Sequence, residues 1–170
     1  DYAMTTIDTQ TTHPGLLEVF PFTHPQGCRT YLVADPASRQ AMVIDPHLDL
    51  VDKVSEAVER GGWSLILPVD THTHADHPSG SADLAKRFGA TRVGHEAGKH
   101  VGVPRHPADG DRLHLGDQVV TVDHAPGHTP DHIVLATDSA LFSGDTLLIG
   151  AVARTDFLGG DAGQLFDSIH

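Results

Sequence analysis

The stretch Thr71-His72-Thr73-His74-Ala75-Asp76-His77 places four nitrogen or oxygen ligands within six residues, directly behind a nearly continuous apolar run at 63–69. A run of that kind reads as a strand buried on both faces. The ligands then sit on the loop at its end, where a rigid sheet can fix side chains against one another. In an extended segment, spacings of two send side chains to the same side. His72, His74 and Asp76 are therefore expected to converge, with His77 turning into the helix that follows. Crowding such groups together without a metal would be costly, so the cluster predicts a metal site.

Upstream, the apolar runs 16–22 and 29–35 flank His24-Pro25-Gln26-Gly27, and a third run, 41–44, stops at Asp45-Pro46. These read as three strands opening a small sheet. From 49 to 60, Leu50, Val51, Val54, Ala57 and Val58 share one helical face, and Gly61-Gly62 supplies the stop. Downstream, Ser79 or Ser81 is suited to cap a short helix through Ala82, Leu84, Ala85 and Phe88, ended by Gly89. The run 91–94 reads as a further strand and 96–111 as a surface loop. Strands are expected again at 112–115, 118–123, 133–136 and 140–142, with Gly116-Asp117 and Asp138-Ser139 as hairpin turns, and a helix from Asp161 onward. The pattern is a mixed α/β domain with His and Asp on its strand-end loops.

A length of 170 residues fits one domain, taken to run from 4 to 170 with Met4 as the natural start. The net charge of -12, from 23 acidic and 11 basic residues, argues against nucleic acid or an anionic membrane as partner. No apolar run approaches the roughly 20 residues that span a bilayer. No basic segment followed by an apolar core opens the chain. The single cysteine, Cys28, excludes an internal disulfide framework and fits a reducing compartment, so the cytoplasm is the expected location. Cys28 is expected to be an unreactive small residue, with a near-site thiol open to oxidation as the alternative. His13, His24, His47, His95, His100, His106, His114, His124 and His132 fall in loops or at strand edges and are expected to be solvated.

Two later loops, Pro126-Gly127-His128-Thr129 and Ser143-Gly144-Asp145-Thr146, each present one metal-capable residue beside a glycine at a strand end. Small neighbours allow the backbone to approach an ion closely. Together with the first cluster they resemble the metallo-β-lactamase superfamily. Its signature His-x-His-x-Asp-His matches 72–77, and its later histidine and bridging aspartate match His128 and Asp145. The resemblance implies a four-layer αββα sandwich with the metal site at one edge of the two sheets. Within that superfamily the chain most resembles the persulfide dioxygenases of the ethylmalonic encephalopathy protein type. The matching stretches are 71–77, His124-Ala125-Pro126-Gly127-His128-Thr129-Pro130, Ser143-Gly144-Asp145-Thr146-Leu147-Leu148-Ile149 and Arg154-Thr155-Asp156-Phe157. Cys28, ahead of Thr30-Tyr31-Leu32, is similar as well.

That resemblance implies one Fe(II) per chain on His72, His128 and Asp145, with His74, Asp76 and His77 close by but outside the ligand set. Two histidines and one carboxylate leave open positions for the terminal sulfur of glutathione persulfide and for O2, giving sulfite and glutathione. Arg154 would pair with a glutathione carboxylate. The partners implied are these small molecules, without nucleic acid or membrane, and a homodimer stays open. The alternative within the superfamily is a zinc-dependent thioester hydrolase of the glyoxalase II type. Such hydrolases hold two Zn(II) with all four cluster residues and a further histidine, which this sequence does not supply. His170 matches a helix position instead, and the family's last strand and helix do not follow it, so the domain is expected to be C-terminally incomplete. A noncatalytic metal-binding domain is the third reading.

Overall fold

The computed structural model describes residues 16–98 and 101–170; His13 and His100 lie outside them. β1 (Glu18–Thr23), β2 (Arg29–Ala34) and β3 (Gln40–Ile44) form an antiparallel meander. α1 (Val51–Gly61) then carries the chain across to β4 (Ser64–Val69), which pairs parallel with β3. After α2 (Ser81–Phe88) comes a second, wholly antiparallel sheet: β5 (Arg112–Leu115), β6 (Gln118–His124), β7 (Ile133–Ala136) and β8 (Leu141–Phe142). A short ribbon of β9 (Leu147–Leu148) and β10 (Ala151–Val152) leads to α3 (Ala162–Ile169).

Successive side chains of a strand point to opposite faces, and here each face of the first sheet meets a different layer. Val33, Met42, Ile44, Leu67 and Val69 pack against Leu113, Val120, Val122, Ile133 and Leu135 of the second sheet. Leu32, Ala34, Ala41, Val43 and Leu65 meet α1 and α2 through Val51, Val54, Val58 and Leu84. Burial on both faces is why these strands read as unbroken apolar runs. The alternation breaks once in β4, where the register shifts between Ala41 and Met42 and passes over Ile66. This bulge turns Leu67 and Val69 from the helix layer to the space between the sheets. The loop after β4 is then tied to the second sheet, because Ile133 N–H donates to the Thr71 carbonyl at 2.8 Å.

The expected α/β sandwich is therefore present, with helices outside the first sheet and the two sheets face to face. α3 is docked on the loop behind β6: Ser168 Oγ donates to Pro126 O at 2.7 Å and Asp161 N–H to Gly127 O at 2.8 Å. Gly127 has φ +138°, and a Cβ there would lie 2.3 Å from Leu165 N, so only glycine lets the helix backbone sit this close. Among the described residues no helix is long and apolar enough to cross a membrane.

Three expectations about elements change. The run 91–94 makes only isolated bridges at Val93. Thr91 and Val93 donate to Ile66 and Pro68 carbonyls, but Pro68 has no N–H to return, so no continuous ladder forms beside β4. The helix expected from Asp49 begins at Val51, after a single 3-10 turn at Leu48–Leu50. The β9–β10 ribbon was not foreseen; its strands of two residues are too short for an alternation to show.

Candidate metal centre

The chain leaves β4 as a series of bends rather than as extended strand; of the three residues expected to converge, His72 and His74 come together and Asp76 falls in a separate group. His72 belongs to two groups, one with His128 and Asp145 and one with His74 and Asp45, its ring centroid 4.2 Å from that of His74, while Asp76 and His77 meet Cys28.

The first group has the geometry of an ion site. His72 Nε2 and His128 Nε2 lie 3.8 and 3.6 Å from the same Asp145 Oδ2. Those separations are too long for hydrogen bonds and suit donors about 2.0–2.2 Å from one shared cation. The opposite ring nitrogens fix the tautomers. Thr71 N–H and Oγ1–H both donate to the Asp45 carboxylate at 2.7 Å. The hydroxyl oxygen must therefore accept from His72 Nδ1–H at 2.9 Å. His128 Nδ1–H donates to the Arg154 carbonyl at 2.8 Å. Each imidazole thus offers an Nε2 lone pair with its ring held from behind, as metal-binding histidines require. Burial, then the charge of His74, lowers the His72 pKa to about 4, so the ring is neutral near pH 7. His72 and His128 are buried while Asp145 is 47% exposed, so the centre opens on the Asp145 side.

Asp145 is placed by a residue expected to be solvated. His132 is fully buried, its ring stacked 4.9 Å from that of His72. Its Nε2 accepts from Asp145 N–H at 3.1 Å, which leaves Nδ1–H to donate to Thr146 Oγ1 at 3.1 Å. A Cβ at Gly144 would come within 2.7 Å of this ring and of Thr71 Oγ1, so the ligand loop can close over them only with glycine, at φ +49°. His47 and His95 are likewise buried rather than solvated, stacked on His24 and on His124. Their partners come from distant segments, which local sequence does not reveal.

Asp45, also unforeseen, holds the backbone of the cluster. It adopts φ +48°, a strained conformation that aspartate tolerates better than most residues. His74 Nε2 lies 3.3 Å from Asp45 Oδ1, off the line of a good hydrogen bond, so the contact is an ion pair. Burial opposes charge on both groups, yet their mutual attraction wins. It holds His74 well above the usual imidazole range and Asp45 well below the carboxylate range. Asp70 behind them is buried and accepts from Ser79 Oγ and Ser81 Oγ at 2.5 and 2.6 Å.

Cys28, Asp76 and His77 form a separate group. The Cys28 thiol donates to Asp76 Oδ2 at 3.5 Å, and burial, then Asp76, pushes its pKa up. Beside both groups runs a cleft of about 570 Å³ bordered by Cys28, Arg29, Tyr31, Asp145 and Leu148. Arg154, whose carbonyl holds His128, does not line this cleft. Its guanidinium is bidentate to Asp156 at 2.6 and 2.7 Å and sits over Phe157, whose ring meets His128 edge-on at 5.4 Å.

These shifts predict how the metal-free protein responds to pH. His132 is lowered from 6.5 to about 3, by burial first and then by the charge of His72. Below pH 6.5 the unfolded chain takes up a proton that the folded chain refuses until about pH 3, so stability falls across that window. His72 acts in the same direction down to about 4. His74 acts oppositely, since its stabilisation is complete below 6.5 and is lost only as pH rises through its elevated pKa. The urea midpoint of apo protein should therefore drop between pH 7.5 and 5, before the carboxylates titrate; an unchanged midpoint would contradict the placement of His132 and His72.

The crystal structure of ETHE1 from Myxococcus xanthus superposes with a TM-score of 0.86 at 37% identity, over 89% of this chain and 68% of that one. The chain belongs to the metallo-beta-lactamase superfamily. The family profile described as Metallo-beta-lactamase superfamily matches residues 96–170. Two curated proteins are similar to this chain. Mouse mitochondrial persulfide dioxygenase ETHE1 is 36% identical over 155 residues, which is 86% of this chain and 59% of that protein. The hydroxyacylglutathione hydrolase of Rhodospirillum rubrum is 36% identical over 143 residues, 82% of this chain and 54% of that protein. The chain thus spans somewhat more than half the length of the curated relatives it matches.

Proposed function

We propose that the protein is an Fe(II)-dependent persulfide dioxygenase, oxidising glutathione persulfide with O2 to sulfite and glutathione. The observation that carries this reading is the convergence of two imidazoles and one carboxylate, His72, His128 and Asp145, with the neighbouring His74 paired to Asp45. A mononuclear set of this kind leaves positions free for two reactants. Fe(II) held there would supply binding of O2 and of the persulfide sulfur, and electron transfer between them. The similarity to ETHE1 proteins supports the choice of reaction.

The chain's own part is placement. Thr71 and the Arg154 carbonyl orient the two imidazoles, and His132 orients the Asp145 loop. The cleft, lined by Tyr31, Phe142 and Leu148 among others, gives a substrate access to the exposed side of Asp145 in this reading. Arg154 binds a glutathione carboxylate in this reading, exchanging Asp156 for it. The partners are small molecules, the location is the cytoplasm, and the -12 net charge disfavours nucleic acid.

A zinc-dependent thioester hydrolase is the second reading, favoured by the similarity to the Rhodospirillum rubrum hydrolase. Reconstitution separates the two. Apo protein loaded with one Fe(II) is expected to consume O2 on addition of glutathione persulfide and to leave glutathione thioesters intact. Thioester cleavage by a form holding two Zn(II), with no O2 uptake by the iron form, would overturn the proposal. Metal retained with turnover in neither assay would mark a noncatalytic domain.

A further inference from the structure

Side chains two apart in a strand point the same way, so Arg29, Tyr31 and Val33 share the face of β2 that is turned to the second sheet. Along that face Val33 is buried between the sheets, Tyr31 packs edge-on against Phe142 at 5.3 Å, and Arg29 is exposed. Burial thus falls away toward the start of β2, where Arg29 borders the same cleft of about 570 Å³ as Asp145.

Two carboxylates also line this cleft, and both are committed. Asp45 takes the Thr71 donors and pairs with His74, and Asp145 faces the imidazoles of His72 and His128. Arg29 stands apart from them. Elsewhere Arg87 pairs with Asp52, Arg92 with Asp70 and Arg154 with Asp156. Among the described residues no carboxylate or carbonyl pairs with the Arg29 guanidinium. It is also the one lysine or arginine among the described residues that line the cleft. Leu141, Leu148 and Ile149 add exposed apolar surface to the same lining. A charged pair formed beside such surface is stronger and less screened than one in open water.

We propose that Arg29 anchors a carboxylate of the ligand that enters this cleft, and so sets a preference for anionic thiol compounds over neutral ones. The guanidinium fork matches a carboxylate in a bidentate pair. The inference rests on the reading that the ligand carries a glutathione moiety, which the dioxygenase and the thioester hydrolase share. Glutathione has two carboxylates, so Arg29 acts in addition to Arg154, and from within the cleft. Its part is binding, with no proton or electron to move.

Calorimetric titration of anaerobic, Fe(II)-loaded protein with glutathione, and with glutathione diethyl ester in which both carboxylates are masked, tests it. Arg29→Met keeps much of the side-chain length and loses the charge. It is expected to bind glutathione about tenfold more weakly or worse, as loss of a charged hydrogen bond implies, and to bind the diester as the parent does. Arg29→Lys restores a point charge without the fork, so its affinity for glutathione should fall between the two. Because Arg29 is exposed, Tm of Arg29→Met should match the parent's, which separates a lost contact from a lost fold. Equal glutathione affinity in parent and Arg29→Met, an equal loss for the diester, or no glutathione binding by the parent would each overturn the proposal. Glutathione held through Arg29 by a protein that takes up no O2 would overturn the dioxygenase reading and leave this inference standing. O2 uptake with glutathione affinity indifferent to Arg29 would do the reverse.

Discussion

Asp145→Ala is expected to leave the fold standing and the protein without stoichiometric metal at the His72–His128 centre. Both imidazole Nε2 atoms face the same Asp145 Oδ2, at 3.8 and 3.6 Å, so this oxygen is the point on which the ligand set closes. Without it two imidazoles remain, and a divalent cation loses the carboxylate ligand that offsets its charge. Substitutions behind the ligands commonly cost about 10–100-fold in metal affinity. Loss of a ligand should exceed that, and turnover should fall with it. The fold should survive because the Asp145 side chain is 47% exposed and contributes no core packing. Elemental analysis and circular dichroism on the same sample check both halves of the prediction. Retention of one tightly bound ion per chain would remove Asp145 from the ligand set.

His132→Ala is expected to act on stability and on metal affinity together. The substitution empties a fully buried site and leaves Asp145 N–H and Thr146 Oγ1 without their partner. Large-to-small changes in a core cost about 2–5 kcal/mol, and an orphaned buried donor about 1–3 kcal/mol. A loss of about 3 kcal/mol lowers Tm by roughly 10 °C in a domain of this size. Metal affinity should fall by about 10–100-fold, because the Asp145 loop loses its anchor while the ligands remain. His132→Gln, whose amide oxygen can still accept from Asp145 N–H, should recover part of the affinity. Calorimetry with a competitive chelator titration measures both effects. An alanine variant that melts and binds like the parent would show that the loop is held by something else.

How much of this was legible in sequence depended on whether the signal was local. The apolar runs behind β2, β3 and β4 and the turns between β5 and β8 gave nearly the right elements, because strand periodicity and glycine stops act over a few neighbouring residues. His72, His128 and Asp145 stood out with their neighbours as metal-capable residues on strand-end loops, the family resemblance narrowed these to the three, and their ligand atoms lie within 4.8 Å of one another. Non-local features were not. Nothing near Pro68 in sequence says that its missing N–H faces 91–94, and nothing in Thr129-Pro130-Asp131-His132 says that the histidine turns inward to hold Asp145. Asp45 read only as the end of a strand, although its carboxylate takes the Thr71 donors that fix the His72 tautomer. The convergence expected of His72, His74 and Asp76 assumed an extended segment; His72 and His74 do meet, beside Asp45, and the bends after β4 take Asp76 to Cys28 instead.

In the proposed function, His72, His128 and Asp145 would hold one Fe(II), which would supply the oxidation of a persulfide sulfur by O2. Its most direct measurement is O2 consumption by anaerobically prepared, iron-loaded protein on addition of glutathione persulfide, with sulfite quantified in the same vessel. The account predicts one O2 consumed per sulfite formed, in proportion to bound iron and absent from Asp145→Ala. Sulfite formation independent of iron, or no O2 uptake by protein carrying one iron per chain, would contradict it.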